Sequence, residues 1–186
     1  MKTKDSNGLL IDLAKTAIYD KLYSINRLDK NLSLSKLPIL GDDAATFVTL
    51  TIDGNLRGCI GSLVPRQSLY DDIISNAKSA AFNDPRFIPL SKDEFENTKI
   101  EISILTPAVK VNYTDFKDLE SKIVPNKDGV ILKLGNHQAT FLPQVWEQLP
   151  SFDLFMLHLY NKAGLEMTEQ NLTPEIYTYR VKKIEE

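Results

Sequence analysis

The chain reads as an α+β protein, a largely antiparallel sheet built from hairpins with flanking helices. Three observations lead there. Two stretches of strand character fold back across tight-turn pairs, Asp53-Gly54 and Gly135-Asn136, as β-hairpins do. Other segments carry apolar residues at helical spacing, two of the clearest behind a serine cap at Ser68 and Ser151. Strands and helices do not alternate regularly, which argues against a parallel βαβ sheet.

Taken in order, Leu9, Leu10, Leu13, Ala17, Ile18 and Leu22 predict a first helix over about residues 7–23. LDKNLSLSKLPILGDD holds Pro38 and Gly41 without sustained periodicity and predicts a loop. In ATFVTLTIDGNLRGCIGSL, Val48, Leu50 and Ile52 alternate with Phe47, Thr49 and Thr51. Gly54 accepts positive φ at the turn, and the return strand runs from Leu56 to about Leu63. Ser68 caps the next helix, and Asp71 completes an S-x-x-D box. Leu69, Ile73, Ala77 and Ala80 form its apolar stripe, with alanines small enough for close packing on a sheet. Pro85 disfavours helical geometry at Asp84 and ends it. In NDPRF, Asn83 and Asp84 suit a turn, and Phe87 is expected as a buried anchor.

SKDEFENT adds a short helical turn capped by Ser91. KIEISILTP is a strand with Ile100, Ile102 and Ile104 on one face and Glu101 and Ser103 on the other. DFKDLESKI is a short helix with Phe116, Leu119 and Ile123 inward, and VILKL-GNH-QATFL is the second hairpin. SFDLFMLHLYNKAGL is a helix capped by Ser151 and stopped at Gly164, and PEIYTYRVKK is one last strand.

A chain of 186 residues, 42% hydrophobic and 25% charged, suits one domain, or one domain with two lobes, and can bury a core unaided. One cysteine excludes an internal disulfide and a four-thiolate zinc site. A net charge of −3 with scattered charges disfavours nucleic-acid binding. The polar opening MKTKDSNG and the lack of a long apolar run predict neither a signal peptide nor a membrane span, so a cytoplasmic setting is expected.

The only cysteine lies in LRGCIG, residues 56–61. Strand alternation predicts Arg57, Cys59 and Gly61 on one face, and Leu56, Gly58 and Ile60 on the other, with Leu56 and Ile60 toward the core. A guanidinium beside a thiol stabilises the thiolate. Gly58 and Gly61 remove bulk, so that a ligand or another backbone can approach. The plainer alternative is a small buried cysteine among glycines that serve twist or a bulge.

Glu101 is the best carboxylate candidate, as a general base or as an acceptor that positions Arg57, against an ordinary salt-bridged strand residue. Arg86 can pair with a carboxylate or bind an anionic ligand, and Asn76 can hydrogen-bond toward the same place. His137 falls in a turn and His158 on a helix, so a Cys–His dyad has little support. The same inventory offers no metal ligand set and no cofactor motif. Lys162 suits the last turn of a helix.

The ordered set LAKTAIYDKL, FVTLTIDGNLRGCIGSL, NAKSAAFNDPRF, IEISILTP, LPQV and KAGL resembles the AMMECR-like domain family, most nearly its bacterial branch, AmmeMemoRadiSam system protein A. After KAGL the sequence departs from the pattern: EMTEQNLTPEIY lacks the tryptophan that relatives often carry. The resemblance implies a larger and a smaller lobe with a cleft near LRGCIG. It also implies a pathway shared with a Memo-like protein and a radical S-adenosylmethionine protein, but no reaction. The expectation is a protein that binds or processes a small anionic ligand, with Cys59 and Glu101 as candidate catalytic residues. Arg57, Gly58, Gly61, Asn76 and Arg86 are the candidate ligand-binding residues. The alternative is a non-catalytic accessory or scaffold protein that contacts a partner through the same surface.

Overall fold

The structure, a computed structural model, describes residues 6–166 and 173–186. The first five residues of the polar opening, and 167–172 of the stretch after KAGL, lie outside the described residues. The chain divides into two compact units, one of residues up to Leu105 together with Lys182–Glu186, the other Thr106–Val181. Each is a sheet with helices on one face.

In the first unit, α1 (Ser6–Tyr23) buries Leu10, Ile11, Leu13, Ala14, Ala17 and Ile18. The expected loop holds two short helices, α2 (Lys30–Lys36) and a 3-10 turn at Pro38–Gly41. Asp29 caps α2 by accepting the Leu32 N–H at 3.0 Å. Leu34, Leu37 and Leu40 pack on the core, but in pieces too short to show a period.

The hairpin β1 (Asp43–Ile52) and β2 (Asn55–Gly61) turns through Asp53 and Gly54, both at positive φ, 51° and 79°. That is the type I′ pattern, whose twist matches the strands. A short β3 (Gln67–Ser68) leads into α3 (Leu69–Phe82), capped by Ser68 on the Asp71 N–H. Ser91 and Glu94 form a reciprocal capping box at α4 (Lys92–Glu96), before β4 (Thr98–Leu105).

The sheet order is β2-β1-β4-β9, where β9 is Val181–Glu185. Val48, Leu50, Ile100, Ile102 and Ile184 face α1 and α3 in one core. The intervening residues of β1 and β4, Phe47, Thr49, Glu101 and Ser103, take the opposite face.

The second unit has the order β5-β8-β6-β7: Val109–Val111, Glu175–Tyr179, Gly129–Leu134 and His137–Phe141. Helices α5 (Phe116–Lys122) and α6 (Phe152–Lys162) complete it. Trp146 stacks on Phe155 at 3.6 Å, amid buried Leu119, Leu132, Met156, Leu159 and Ile176. Ser151 caps α6, and Gly164, at φ 72°, follows its last turn.

The expected last strand is two strands in two sheets. β8 belongs to the second unit's sheet, and β9 runs beside β4 in the first. The break falls at Arg180, whose N–H donates to Thr106 Oγ1 at 2.8 Å and whose carbonyl accepts the Thr106 N–H at 2.8 Å. Arg180 Nε also donates to Asp128. Alternation in a sequence has no mark for a strand that changes sheets.

Candidate functional site

The β1–β2 pairing carries a bulge. Thr49 faces Cys59 and Leu50 faces Gly58, but Thr51 faces Leu56, so Arg57 is an extra residue. This corrects the expected alternation. Leu56 is 44% exposed rather than in the core, while Arg57 is 8% exposed. Cys59 and Gly61 share the face of Thr49 and Phe47, without Arg57 in step.

Arg57 is instead engaged with the segment that follows α3. Its Nε and Nη2 make a bidentate pair with Glu94 at 2.8 and 3.0 Å, and Nη2 also donates to the Ile88 carbonyl at 2.9 Å. The Arg57 hydrogen bond, with the Ser91 amide behind it, holds the Glu94 carboxyl down to about 2. Arg57 Nη1 is buried without a hydrogen-bond partner among the described residues.

Phe87 is half-buried, with the Arg57 and Arg86 guanidinium carbons 5.6 and 5.5 Å from its ring centre. It is therefore not the core anchor that the sequence led us to expect. Leu90, 3% exposed, fills that role.

Arg86 is the guanidinium that reaches Cys59. Its Nε and Nη2 pair with Asp84 at 3.0 and 2.7 Å, and Nη2 lies 3.4 Å from the Cys59 carbonyl. Asp84 in turn accepts the Cys59 N–H at 2.9 Å. The Arg86 bond, reinforced by the Cys59 and Arg86 amides, drives the Asp84 carboxyl far below the usual carboxylate range. Asp84 is buried, whereas the Arg86 side chain is 53% exposed. The Asp84 bond also raises the Arg86 pKa, and the Cys59 sulfur contributes in the same direction.

Cys59 Sγ accepts from Thr49 Oγ1 at 3.2 Å, and Thr49 faces Glu101 on β4. Cys59, Thr49 and Glu101 thus form one row across three strands. Cys59 and Glu101 lie two strand spacings apart, roughly 10 Å. Glu101 accepts from Ser103 Oγ at 3.3 Å and lies 3.5 Å from Lys183 Nζ.

The other candidates are occupied within the chain. A Cβ on Gly58 would lie 2.1 Å from the Ala80 carbonyl oxygen, so Gly58 lets α3 close onto the sheet. A Cβ on Gly61 would lie 2.3 Å from the Phe47 ring. Asn76 is buried and donates to the Thr46 carbonyl, Thr46 Oγ1 and Asp72 at 2.9–3.1 Å.

Asp72, 2% exposed, is the polar centre that sequence reasoning missed. It accepts from Thr46 N, Thr46 Oγ1, Asn76, Ser62 and Gln67. Its signal was a carboxylate within the Leu69–Ile73–Ala77 apolar stripe. His137 Nδ1 lies 2.9 Å from the Ala163 carbonyl, and Lys162 donates to the Thr140 carbonyl, both in the second unit. Among the described residues, no group of three or more His, Cys, Asp or Glu side chains is placed to hold a metal ion. No described helix is long and apolar enough to cross a membrane.

Two α+β units, with a bulged edge strand closed by an Asp–Arg pair at its cysteine, define the class of protein. The chain belongs to the AMMECR1 family, whose model matches residues 11–184. A Methanosarcina acetivorans protein is 40% identical over 144 residues, 76% of this chain and 71% of the relative. A Methanothermobacter thermautotrophicus protein is 35% identical over 185 residues, 96% of this chain and 92% of the relative. The crystal structure of an uncharacterized protein, PH0010 from Pyrococcus horikoshii, superposes with a TM-score of 0.79 at 29% identity. That match covers 98% of this chain and 93% of the other. These three relatives are archaeal.

Proposed function

We propose that the sheet face around Cys59 binds or processes a small anionic ligand, a carboxylate or phosphate, with Arg86 as its cation. The observation that carries this reading is the Asp84–Arg86 pair on the backbone of Cys59 itself. It fixes an exposed guanidinium at Cys59, with Nε and Nη2 held by Asp84 and Nη1 left to meet an oxyanion. Cys59 is the candidate nucleophile, with Thr49 as a donor to its sulfur. Glu101 is too distant along the row to take the thiol proton directly. It would act on the far end of a ligand that spans Thr49. In this reading Gly61 keeps the surface beside Cys59 low, Arg57 braces the segment that delivers Arg86, and Gly58 and Asn76 serve the packing of α3 on the far side of the sheet.

The finer assignment, to AmmeMemoRadiSam system protein A, is part of the same proposal. It brings a cytoplasmic setting and a pathway shared with Memo-like and radical S-adenosylmethionine proteins. A scaffold role is the second reading, favoured by the exposed apolar side chains of Leu56 and Ile88 on either side of Arg57's bonds.

The test has two parts. Protein purified from cells is analysed by mass spectrometry for bound metabolites, beside Cys59→Ser and Arg86→Ala. An anionic compound retained by the native protein and lost from both variants is expected. Iodoacetamide labelling against pH is then followed for native protein, Arg86→Ala, Arg86→Lys and Arg57→Ala. Arg86→Ala should slow labelling at neutral pH and Arg86→Lys should restore part of it. A thiol that labels only on unfolding would end the reading, and Cys59 would be a packing residue.

A further inference from the structure

On the other face of the first sheet, the face that carries α1 and α3, a cavity of ≈590 Å³ opens at the end where β1 begins and β4 ends. That size falls within the ~300–1,000 Å³ typical of small-molecule sites. Its floor is apolar: Leu10 of α1, Leu37, Leu69 at the start of α3, and Ile104 of β4. Ile39, 53% exposed, stands at its lip. None of these residues belongs to the Cys59 face.

The rim is charged and unsatisfied. Asp42, Asp43 and Lys182 all line the cavity. Their side chains take no hydrogen bond or ion pair among the described residues. This contrasts with nearby charges. Lys183 meets Glu101, Lys30 meets Asp71, and Lys15 meets Glu186.

The rim is also held in place. The Asp42 N–H donates to the Ile39 carbonyl at 3.1 Å, and its carbonyl accepts the Leu69 N–H at 2.8 Å. Asp43 is in register with Ser68, and Lys182 lies in β9, two residues before the buried Ile184. A rim fixed by backbone bonds costs little to order when a ligand arrives.

We propose that this cavity binds a free hydrophobic α-amino acid. Its side chain enters the apolar floor, its ammonium meets Asp42, and its carboxylate meets Lys182. The charge pattern selects this class. A fatty acid would leave Asp42 without a partner, and a simple apolar amine would leave Lys182 without one. The inference is independent of the reading given for Cys59.

The test is a two-dimensional NMR or calorimetric titration of the full chain with L-phenylalanine, carried to about 10 mM so that millimolar affinity is visible. Two analogues run beside it: 3-phenylpropionate, without the ammonium, and L-phenylalaninamide, without the carboxylate. Saturable binding of L-phenylalanine is expected, with shifts at Leu10, Asp42, Leu69 and Ile104. Both analogues should bind at least about tenfold more weakly, as should L-phenylalanine to Asp42→Asn and to Lys182→Met, since each loses a charge-assisted bond. These changes lie on exposed side chains, and circular dichroism checks that the fold is kept. Absence of saturable binding, shifts confined to other surfaces, or equal binding by L-phenylalaninamide or by the rim variants would each overturn the proposal.

Discussion

The Cys59 N–H donates to the Asp84 carboxylate at 2.9 Å, although the two residues lie 25 positions apart in the chain. β2 is the edge of its sheet, where outward N–H and C=O groups invite pairing with another chain. Here a side-chain pair stands where a further strand would be. Asp84 takes the N–H, and Arg86 reaches the carbonyl of the same residue. Edge protection and presentation of a cation at Cys59 are one device.

Asp84→Ala would strand the Cys59 amide and release Arg86. A loss of about 2–3 kcal/mol is expected, from an unsatisfied buried donor and a broken ion pair. Urea denaturation with an unchanged m-value checks it.

Glu94 gives a pH dependence with a defined sign. Its folded pKa, about 2, lies below the ordinary value of 4.5, so the unfolded chain binds more protons between the two. Its contribution to stability is therefore complete above about pH 5 and is lost as pH falls toward 2. Glu94→Gln should flatten that part of the stability curve, measured by urea melts at stepped pH.

Phe87→Ala should cost about 1–2 kcal/mol and Leu90→Ala about 2–4 kcal/mol, because only Leu90 is fully buried. Chemical denaturation of the two side by side decides. A larger loss at Phe87 would mean that its place between the two guanidinium groups outweighs burial.

Gly58→Ala should abolish folding or cost more than about 3 kcal/mol, since the clash is with the Ala80 backbone carbonyl, which cannot rotate away. Gly54→Ala meets open space and only the strain of a φ of 79°, so about 1 kcal/mol is expected. Thermal melts of the two variants separate a packing glycine from a turn glycine.

Much of this architecture is legible locally. The Asp53-Gly54 turn and the Ser68, Ser91 and Ser151 caps are short-range devices, and the sequence displays each within four residues. What could not be read depends on distant partners. The Arg57 bulge is a mismatch of count between two strands, visible only once Thr51 and Leu56 are paired. α2 is too brief to show a period, and its leucines matter only against a core assembled elsewhere. At the candidate site the residue types were legible and their partnerships were not. Arg57 meets Glu94, which lies 37 residues on, and Arg86 is the guanidinium that reaches Cys59, at its backbone carbonyl.

The reciprocal bonds between Thr106 and Arg180 tie the entry and exit of 106–181 together, and β9 then continues in the sheet that β4 left. The second unit is thus an insertion between two neighbouring strands of the first. During synthesis the first unit must wait, with its β4 margin open and the place of Ile184 in its core empty, until the whole of 106–181 has been made. A ribosome stalled anywhere in that span would hold an unfinished sheet, ready for a chaperone or for a neighbouring nascent chain. The same layout makes 106–181 excisable: a short turn from Leu105 to Lys182 would leave the first unit's sequence order intact and let it close at once.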